Sequence, residues 1–396
     1  MKKVLFLSSR IPYPPIGGDK YKNYWLLKIL AKHYKVHLVS LAERDIPAGF
    51  YKWVNELGIT YKIFPKRKID FYKSGLRFFF NKLPIQVNYY YFKDIQKYVD
   101  LIYKDFDILF SCLIRTSQYI INKEKPKILD ITDSIGLNYK KSKNKTHSIK
   151  WKIIYIVETP KLLNFEKLCL EKFDKTLFVN MEEMDFFKKP FKTIWLPFGA
   201  NEELLKYNKI NFSYNNCVVF FGKMDYQPNI DAVLWFINNV LSLLDKSLIF
   251  IIMGSYPPKF IRELENKNKN IKITGFIKDP YEIIKSSLCV VAPMQTGGGI
   301  QSKILESMAL GTINIVSSLA AKPIIAIDKK DFLVIDNPEE MAKTINDIYI
   351  NPNGYNYLKL NSREYIKNNF TWSIYEPKIL GIIEEVLQCN TSIICR

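Results

Sequence analysis

LCVVAPMQTGGGIQSKILESMALG (residues 288–311) decides the fold of its half of the chain. LCVVAP (288–293) is a short, near-continuous apolar run, the pattern of a parallel strand buried on both faces. Three glycines follow, and a helix over Ser302–Leu310 opens directly after them. A strand, a glycine loop and a helix in this order set backbone N–H groups and the helix dipole where an anion is held. Gly297, Gly298 and Gly299 let a ligand approach the main chain closely. Lys303 adds a positive charge in the first turn, and Glu306, one turn on, suits ribose hydroxyls. The alternative is a turn with a solvated Lys and Glu. Neither G-x-G-x-x-G nor the Walker spacing is present, which disfavours a dinucleotide enzyme and a P-loop ATPase.

The same alternation extends outward in both directions. In the second half, strands are expected at VVFFG (218–222), SLIFIIMG (247–254), IKITGF (271–276) and INIVSS (313–318), with a helix over Ile230–Leu244. The first half shows VLFLSS (4–9), a Pro/Gly loop, a helix over Tyr21–His33 and VHLVSL (36–41). Further strands are expected at 59–64, 107–112, 127–132 and 175–180. Strands alternating with helices imply α/β architecture with parallel sheets, here two doubly wound Rossmann-like domains facing across a cleft. WLPFGANEE (195–203) links them, because Pro and Gly punctuate it and the charge balance changes there. The expected borders are 1–195, 196–372 and a C-terminal helix over 373–396 crossing back to the first domain.

Charge is the unusual part of the composition. The 396 residues carry 58 Lys+Arg against 39 Asp+Glu, a net +19. Residues 1–200 hold 37 basic and 19 acidic side chains, whereas residues 201–396 hold 21 and 20. One half therefore faces a polyanion or an anionic surface, or else reflects a lysine-rich coding bias, since 50 of the 58 basic residues are Lys. The six cysteines form no C-x-x-C and have no His at ligand spacing, which argues against zinc and a disulfide framework and for reduced thiols in the cytosol. No apolar run reaches the roughly 18 residues of a membrane span. The apolar stretch at the amino terminus is too short for a signal peptide.

FFGKMDYQPNIDAVLWF (220–236), GFIKDPYEIIKSSLCVVAPM (275–294) and GGGIQSKILESMALG (297–311) together resemble the donor-binding half of family 4 glycosyltransferases of the GT-B fold. The bacterial branch that makes exopolysaccharide, capsule or lipopolysaccharide is the most similar. The first half matches through its opening strand, the Gly17-Gly18 loop and the segment ending KVHLVS. The resemblance implies retaining, metal-independent transfer of a sugar from a nucleotide-diphosphate donor on the second domain to an acceptor on the first. No cofactor is implied beyond the nucleotide sugar. Asp105 and Asp107 form the only D-x-D spacing and read as a solvated helix–strand junction.

Residue by residue, Lys223 stands after Gly222 where the family has a basic residue on the donor phosphates. The second basic residue expected a few positions on is absent, since Asn229 sits in the PN turn, and Lys303 supplies the other charge. Of the family's paired glutamates, Glu306 matches the second and Gly298 replaces the first, eight positions earlier. The backbone of Gly297–Ile300 would then meet the sugar. Gln301, where related sequences have Arg, leaves the donor sugar open. Gly254-Ser255 and Phe276-Ile277 are contacts for the base or turn structure.

In the first domain, Gly17 and Gly18 either let the backbone approach the transferred sugar and β-phosphate or make a tight loop. Arg10 meets phosphate or is structural. Asp133, at the end of KILDITDS (127–134), binds a sugar hydroxyl or stabilises an oxocarbenium-like transition state, or else caps the next helix. His33 and His37 read as structural and His147 as surface. Segment 61–86 interleaves Lys66, Arg67, Lys68, Lys73, Arg77 and Lys82 with Phe71, Phe78, Phe79 and Phe80. It reads as an element meeting an anionic membrane, or as an apolar cover over the core.

The sequence thus predicts a cytoplasmic glycosyltransferase bound peripherally to the inner face of the cell membrane. It would use a nucleotide sugar and a lipid-linked or oligosaccharide acceptor, without nucleic acid. Two readings stay open: a basic nucleic-acid-binding protein, which lacks any RRM, KH or helix-turn-helix signature, and a nucleotide-sugar-binding GT-B protein that has lost catalysis, raised by Gly298.

Overall fold

The computed structural model describes residues 1–143, 149–297 and 299–394. Two compact units are present, Met1–Pro197 with Glu376–Arg396, and Phe198–Tyr375. They part at 197/198 and 375/376, where the sequence places borders at 195/196 and 372/373.

The first unit is built on seven parallel strands: β1 (Lys3–Ser8), β2 (Lys35–Ala42), β3 (Thr60–Pro65), β4 (Ile108–Cys112), β5 (Lys127–Thr132), β6 (Lys175–Phe178) and β7 (Thr193–Trp195). Their order is β3-β2-β1-β4-β5-β6-β7. Central strands β4 and β5 are buried almost throughout, as an apolar run covered by helices on both faces must be. Edge strand β3 is half-covered and alternates. The second unit repeats the scheme with β8 (Cys217–Phe221), β9 (Ile249–Met253), β10 (Ile271–Gly275), β11 (Cys289–Ala292), β12 (Asn314–Val316) and β13 (Leu333–Val334), in the order β10-β9-β8-β11-β12-β13.

In both sheets the chain winds outward from one strand and then returns to its other side. The switch lies between β1 and β4 in the first unit and between β8 and β11 in the second. In open α/β sheets that is where ligands bind, beyond the carboxyl ends of the strands.

Seven helices matter below: α1 (Gly18–His33), α2 (Lys68–Gly75), α3 (Ile135–Ser142), α4 (Ile149–Lys172), α5 (Gln227–Asn239), α6 (Ser302–Leu310) and α7 (Trp372–Ile394). The expected helix 230–244 begins earlier, because Pro228 sits in its first turn where no N–H is needed, and it ends at Asn239 before a short 3-10 turn. Edge strands β7 and β13, of three and two residues, give too short a run for any periodic signal. From Glu376 onward α7 belongs to the first unit. Glu376 pairs with Lys32 (2.7 Å) and His33 (2.8 Å), Glu384 with Lys2 (2.9 Å), and Glu385 with Lys175 (2.7 Å).

The segment with alternating basic and aromatic residues does not present all its aromatics outward. Phe71, on α2, is 1% exposed and packs among Tyr89, Tyr90 and Phe92, which corrects its assignment to an outer face. Phe79 and Phe80 are open, at 74% and 89% exposure. Lys66 pairs with Asp94 (2.6 Å), Arg67 with Asp70 (3.3 Å), and Arg77 donates to the Tyr91 carbonyl (3.0 Å) while lying over its ring. Lys68 and Lys73 are exposed. Among the described residues, no helix is long and apolar enough to cross a membrane. His147 and Cys395 lie outside the described residues.

Candidate functional site

In the second unit the switch point is walled by the loops after β8 and β11. Gly222 ends β8 with φ +154°, and its N–H donates to Met253 O (3.0 Å). Met224 N–H donates to Ser255 O (2.9 Å), so the loops leaving β8 and β9 are joined on either side of Gly254. A Cβ on Gly254 would stand 1.7 Å from Gly222 O, an approach only glycine permits. Gly254 N–H in turn donates to Gly275 O (2.9 Å). Three neighbouring strands therefore run out into glycines, Gly222, Gly254 and Gly275, which put no side chain at those positions of the rim.

Across the switch, Gly297 adopts φ +98°, and Gly299 and Ile300 turn inward ahead of α6. Gly298 lies outside the described residues, so its replacement of the first family glutamate has no structural description. Helix α6 starts at Ser302 without a side-chain cap, which leaves its positive end to any anion arriving there.

Lys303 is the side chain on which the site turns. It is 5% exposed, and its Cε would stand 3.4 Å from a Cβ placed on Gly222. Its Nζ donates to Asn229 Oδ1 (2.6 Å), sits 4.1 Å from the centre of the Phe220 ring and is 3.8 Å from Met294 Sδ. Asn229 is itself fixed by donating Nδ2–H to the Lys223 carbonyl (2.9 Å). Burial lowers the Lys303 ammonium to about 7, and the nearby Glu306 carboxylate pulls it partly back. Burial likewise raises the half-buried Glu306 to about 7, offset by Lys303. A buried cation held by a neutral amide in an aromatic and thioether setting is primed to gain charge when an anion enters.

Lys223 is placed differently. Its ammonium pairs with Asp225 (3.0 Å), both about 41% exposed, and lies over Tyr256. Sequence reasoning missed Asp225 as its partner. It also read Asn229 only as an absent base, whereas the amide is what positions Lys303.

In the first unit, Gly17 (φ +99°) precedes α1 after β1, and a Cβ on Gly18 would meet nothing within 4 Å. Arg10 stands near Asp19 (3.6 Å) and Glu43 (3.8 Å). Beyond β5, carboxyls crowd together. Asp130 is fully buried in an ion pair with Lys22 (2.8 Å), and it also accepts from Thr132 N–H (3.0 Å). Asp133 Oδ1 is buried without a hydrogen-bond partner, and desolvation raises this carboxyl to about 6, with Lys22 opposing. Ser134, not Asp133, caps α3, accepting from Leu137 N–H (3.1 Å), which corrects the capping alternative. Glu183 accepts from Ser134 N–H (2.7 Å), and Glu166 from Ser134 Oγ (2.7 Å) and Gly136 N–H (3.1 Å). Burial raises both of these carboxyls. Lys22, Glu166 and Glu183 carried no sequence signal, because single charged residues within helical patterns read as solvent-facing.

Asp107 accepts from Lys3 N–H (2.7 Å), a strand-end contact. Among the described residues, no three His, Cys, Asp or Glu side chains are grouped to hold a metal ion.

Residues 215–351 match the family described as Glycosyl transferases group 1. Over 387 residues the chain is 24% identical to an uncharacterized 44.6 kDa protein in the cps region of Klebsiella pneumoniae, covering 93% of this chain and 97% of that one. HepE of Anabaena, solved with UDP and glucose, superposes with a TM-score of 0.67 at 12% identity over 97% of this chain and all of the other. WaaG, a glycosyltransferase involved in lipopolysaccharide biosynthesis, gives 0.66 at 14% identity over 96% and 99%. These likenesses show the fold to be GT-B.

Proposed function

From the match of residues 215–351 to the group 1 glycosyltransferases within a GT-B fold, we propose transfer of a hexose from a nucleotide-diphosphate sugar to a lipid-linked glycan. The reaction retains the anomeric configuration, needs no metal, and serves cell-surface polysaccharide synthesis on the cytoplasmic side of the membrane. A relative named for a cps region and a neighbour solved with UDP and glucose support this reading.

The observation that carries it is Lys303, buried at the switch point and fixed by Asn229. A diphosphate entering over Gly222 and the Gly297–Ile300 loop meets this ammonium, the uncapped start of α6 and, once released from Asp225, Lys223. Together they stabilise the negative charge that grows on the leaving phosphate, which is the part of the reaction a protein assists most. Glu306 accepts from the ribose hydroxyls. Asp133, with the Gly17-Gly18 loop, shapes the pocket for the transferred sugar. The bond from the anomeric carbon to the phosphate breaks, the bond to the acceptor oxygen forms, and the acceptor's proton leaves with the diphosphate.

Thermal shift in EDTA tests the binding part: stabilisation by UDP or GDP supports it, and stabilisation by an oligonucleotide alone returns the nucleic-acid reading. Turnover of nucleotide sugars tests the chemistry. Unchanged turnover in Lys303→Ala would remove Lys303 from the site, and binding without turnover would point to a fold that has lost catalysis.

A further inference from the structure

Helix α4 has two apolar faces, and only one is covered. Glu158, Leu162, Phe165 and Cys169 point into the first unit and are buried. On the opposite side Ile149, Ile153, Ile156, Val157 and Pro160 recur at helical spacing, and the four aliphatic side chains are 42–76% exposed. A solvent-facing row ought to be polar. Here about three turns, roughly 16 Å, present branched aliphatics to water.

The exposed Phe79 and Phe80 belong to a segment that rests on the same helix. Ile85 N–H donates to Glu158 Oε2 (2.6 Å), and the Lys161 ammonium lies 3.7 Å from the centre of the Phe78 ring, so the segment 78–85 rests against the middle of α4. Charge around the two segments has one sign. From Phe71 to Lys93 and from Ser134 to Val157 the sequence contains ten basic and no acidic residues. The single carboxylate in the first three turns of α4, Glu158, is turned inward.

We propose that this face, the outer row of α4 with Phe79 and Phe80, docks the protein on an anionic lipid surface. An apolar face set in a basic surround is the arrangement of an interfacial helix: aliphatics enter the headgroup boundary and lysines meet lipid phosphates. A second copy of the chain fits poorly, because it would bring one all-basic rim against another. Nucleic acid fits less well, because the aliphatic row of α4 offers neither a ring for bases to stack on nor a charge for phosphates, and the rings of the face are confined to Phe79 and Phe80. The face shifts the emphasis of the sequence reading, since Lys66, Arg67 and Arg77 have partners within the protein whereas the aliphatic row of α4 carries the exposed apolar surface. It supplies the surface that a lipid-linked acceptor requires, and it stands or falls separately from the donor chemistry.

Co-sedimentation of the full chain with phosphatidylglycerol/phosphatidylcholine vesicles and with phosphatidylcholine vesicles tests it. Binding to the anionic vesicles is expected to be at least about tenfold tighter and to weaken with salt. Ile153→Ser/Ile156→Ser and, separately, Phe79→Ser/Phe80→Ser should each lose about tenfold or more. Both keep their thermal stabilisation by UDP if the donor reading holds, so the two proposals fail independently. Equal pelleting with both vesicle types, or variants that pellet like the parent, would overturn the assignment. So would a dimer in sedimentation velocity that Ile153→Ser/Ile156→Ser abolishes, which would make the row a self-association face.

Discussion

Lys303 Nζ lies 2.6 Å from Asn229 Oδ1, a buried cation whose hydrogen-bond acceptor is a neutral amide. The Asn229 side chain is itself anchored on the Lys223 carbonyl at the end of the neighbouring loop, so the two walls of the switch point are tied through one residue. The amide fixes the ammonium in place without neutralising it. Removing the charge with Lys303→Met should weaken UDP on the order of a hundredfold, the loss typical of truncating a desolvated charged partner. Asn229→Ala leaves the charge and removes its guide, and about tenfold is expected. Titration calorimetry ranks the two, and an Asn229→Ala protein that binds UDP like the parent would show that the tie is only structural.

With Lys303 lowered to about 7 by burial, its amine is only partly protonated at neutral pH. An entering diphosphate favours the charged form and draws a proton from solvent. UDP binding at pH 7.5 should therefore take up protons, giving calorimetric heats that differ between phosphate and Tris buffers. Affinity should fall as pH rises above 7. The proton uptake should fall in Lys303→Met to the share that Glu306 takes, and uptake unchanged there would assign it to another group.

Gly254→Ala tests the joined glycine rim. Its Cβ would fall 1.7 Å from Gly222 O, at a φ of +155° that side chains rarely adopt. The backbone must move, so urea unfolding should show a loss of about 1–3 kcal/mol or more, with weakened UDP binding. Gly18→Ala is the contrast, because its Cβ meets nothing within 4 Å. Its stability should stay within about 1 kcal/mol of the parent.

All the strands except the short edge strands β7 and β13 were legible, because buried parallel strands are near-continuous apolar runs, and LCVVAP followed by glycines and α6 located the switch point of the second unit. What the sequence could not show was which of two apolar faces a helix buries. Ile149, Ile153 and Ile156 have the spacing of a core row, yet the core takes Leu162, Phe165 and Cys169, because orientation is set by contacts far away in sequence. Phe71 and Phe80 show the same limit: both are aromatic among lysines, one enclosed by a tyrosine cluster and the other open. Lys22 and Asp130, 108 positions apart, form a buried ion pair that neither local segment announces.

Glu166 gives the acid cluster of the first unit a measurable consequence. Burial raises its carboxyl to about 7, and hydrogen bonds from Ser134 and Gly136 only partly oppose this. Its folded pKa thus exceeds the unfolded value of 4.5, so between pH 4.5 and 7 the native protein binds more protons than the unfolded chain. Stability from this group is complete below that window and is lost as pH rises through it, with a limiting slope of about 1.4 kcal/mol per pH unit. Glu166→Gln keeps a carbonyl for the Gly136 N–H, turns an amide N–H toward the Ser134 hydroxyl oxygen, and cannot ionise. Asp133 and Glu183, which titrate in both proteins, cancel to first order in the comparison. Urea unfolding of the two proteins at pH 5, 6, 7 and 8 should show the parent losing stability relative to Glu166→Gln up to pH 7 and running parallel to it beyond. Parallel curves over the whole range would mean that the Glu166 carboxyl titrates near its ordinary value and that solvent reaches it.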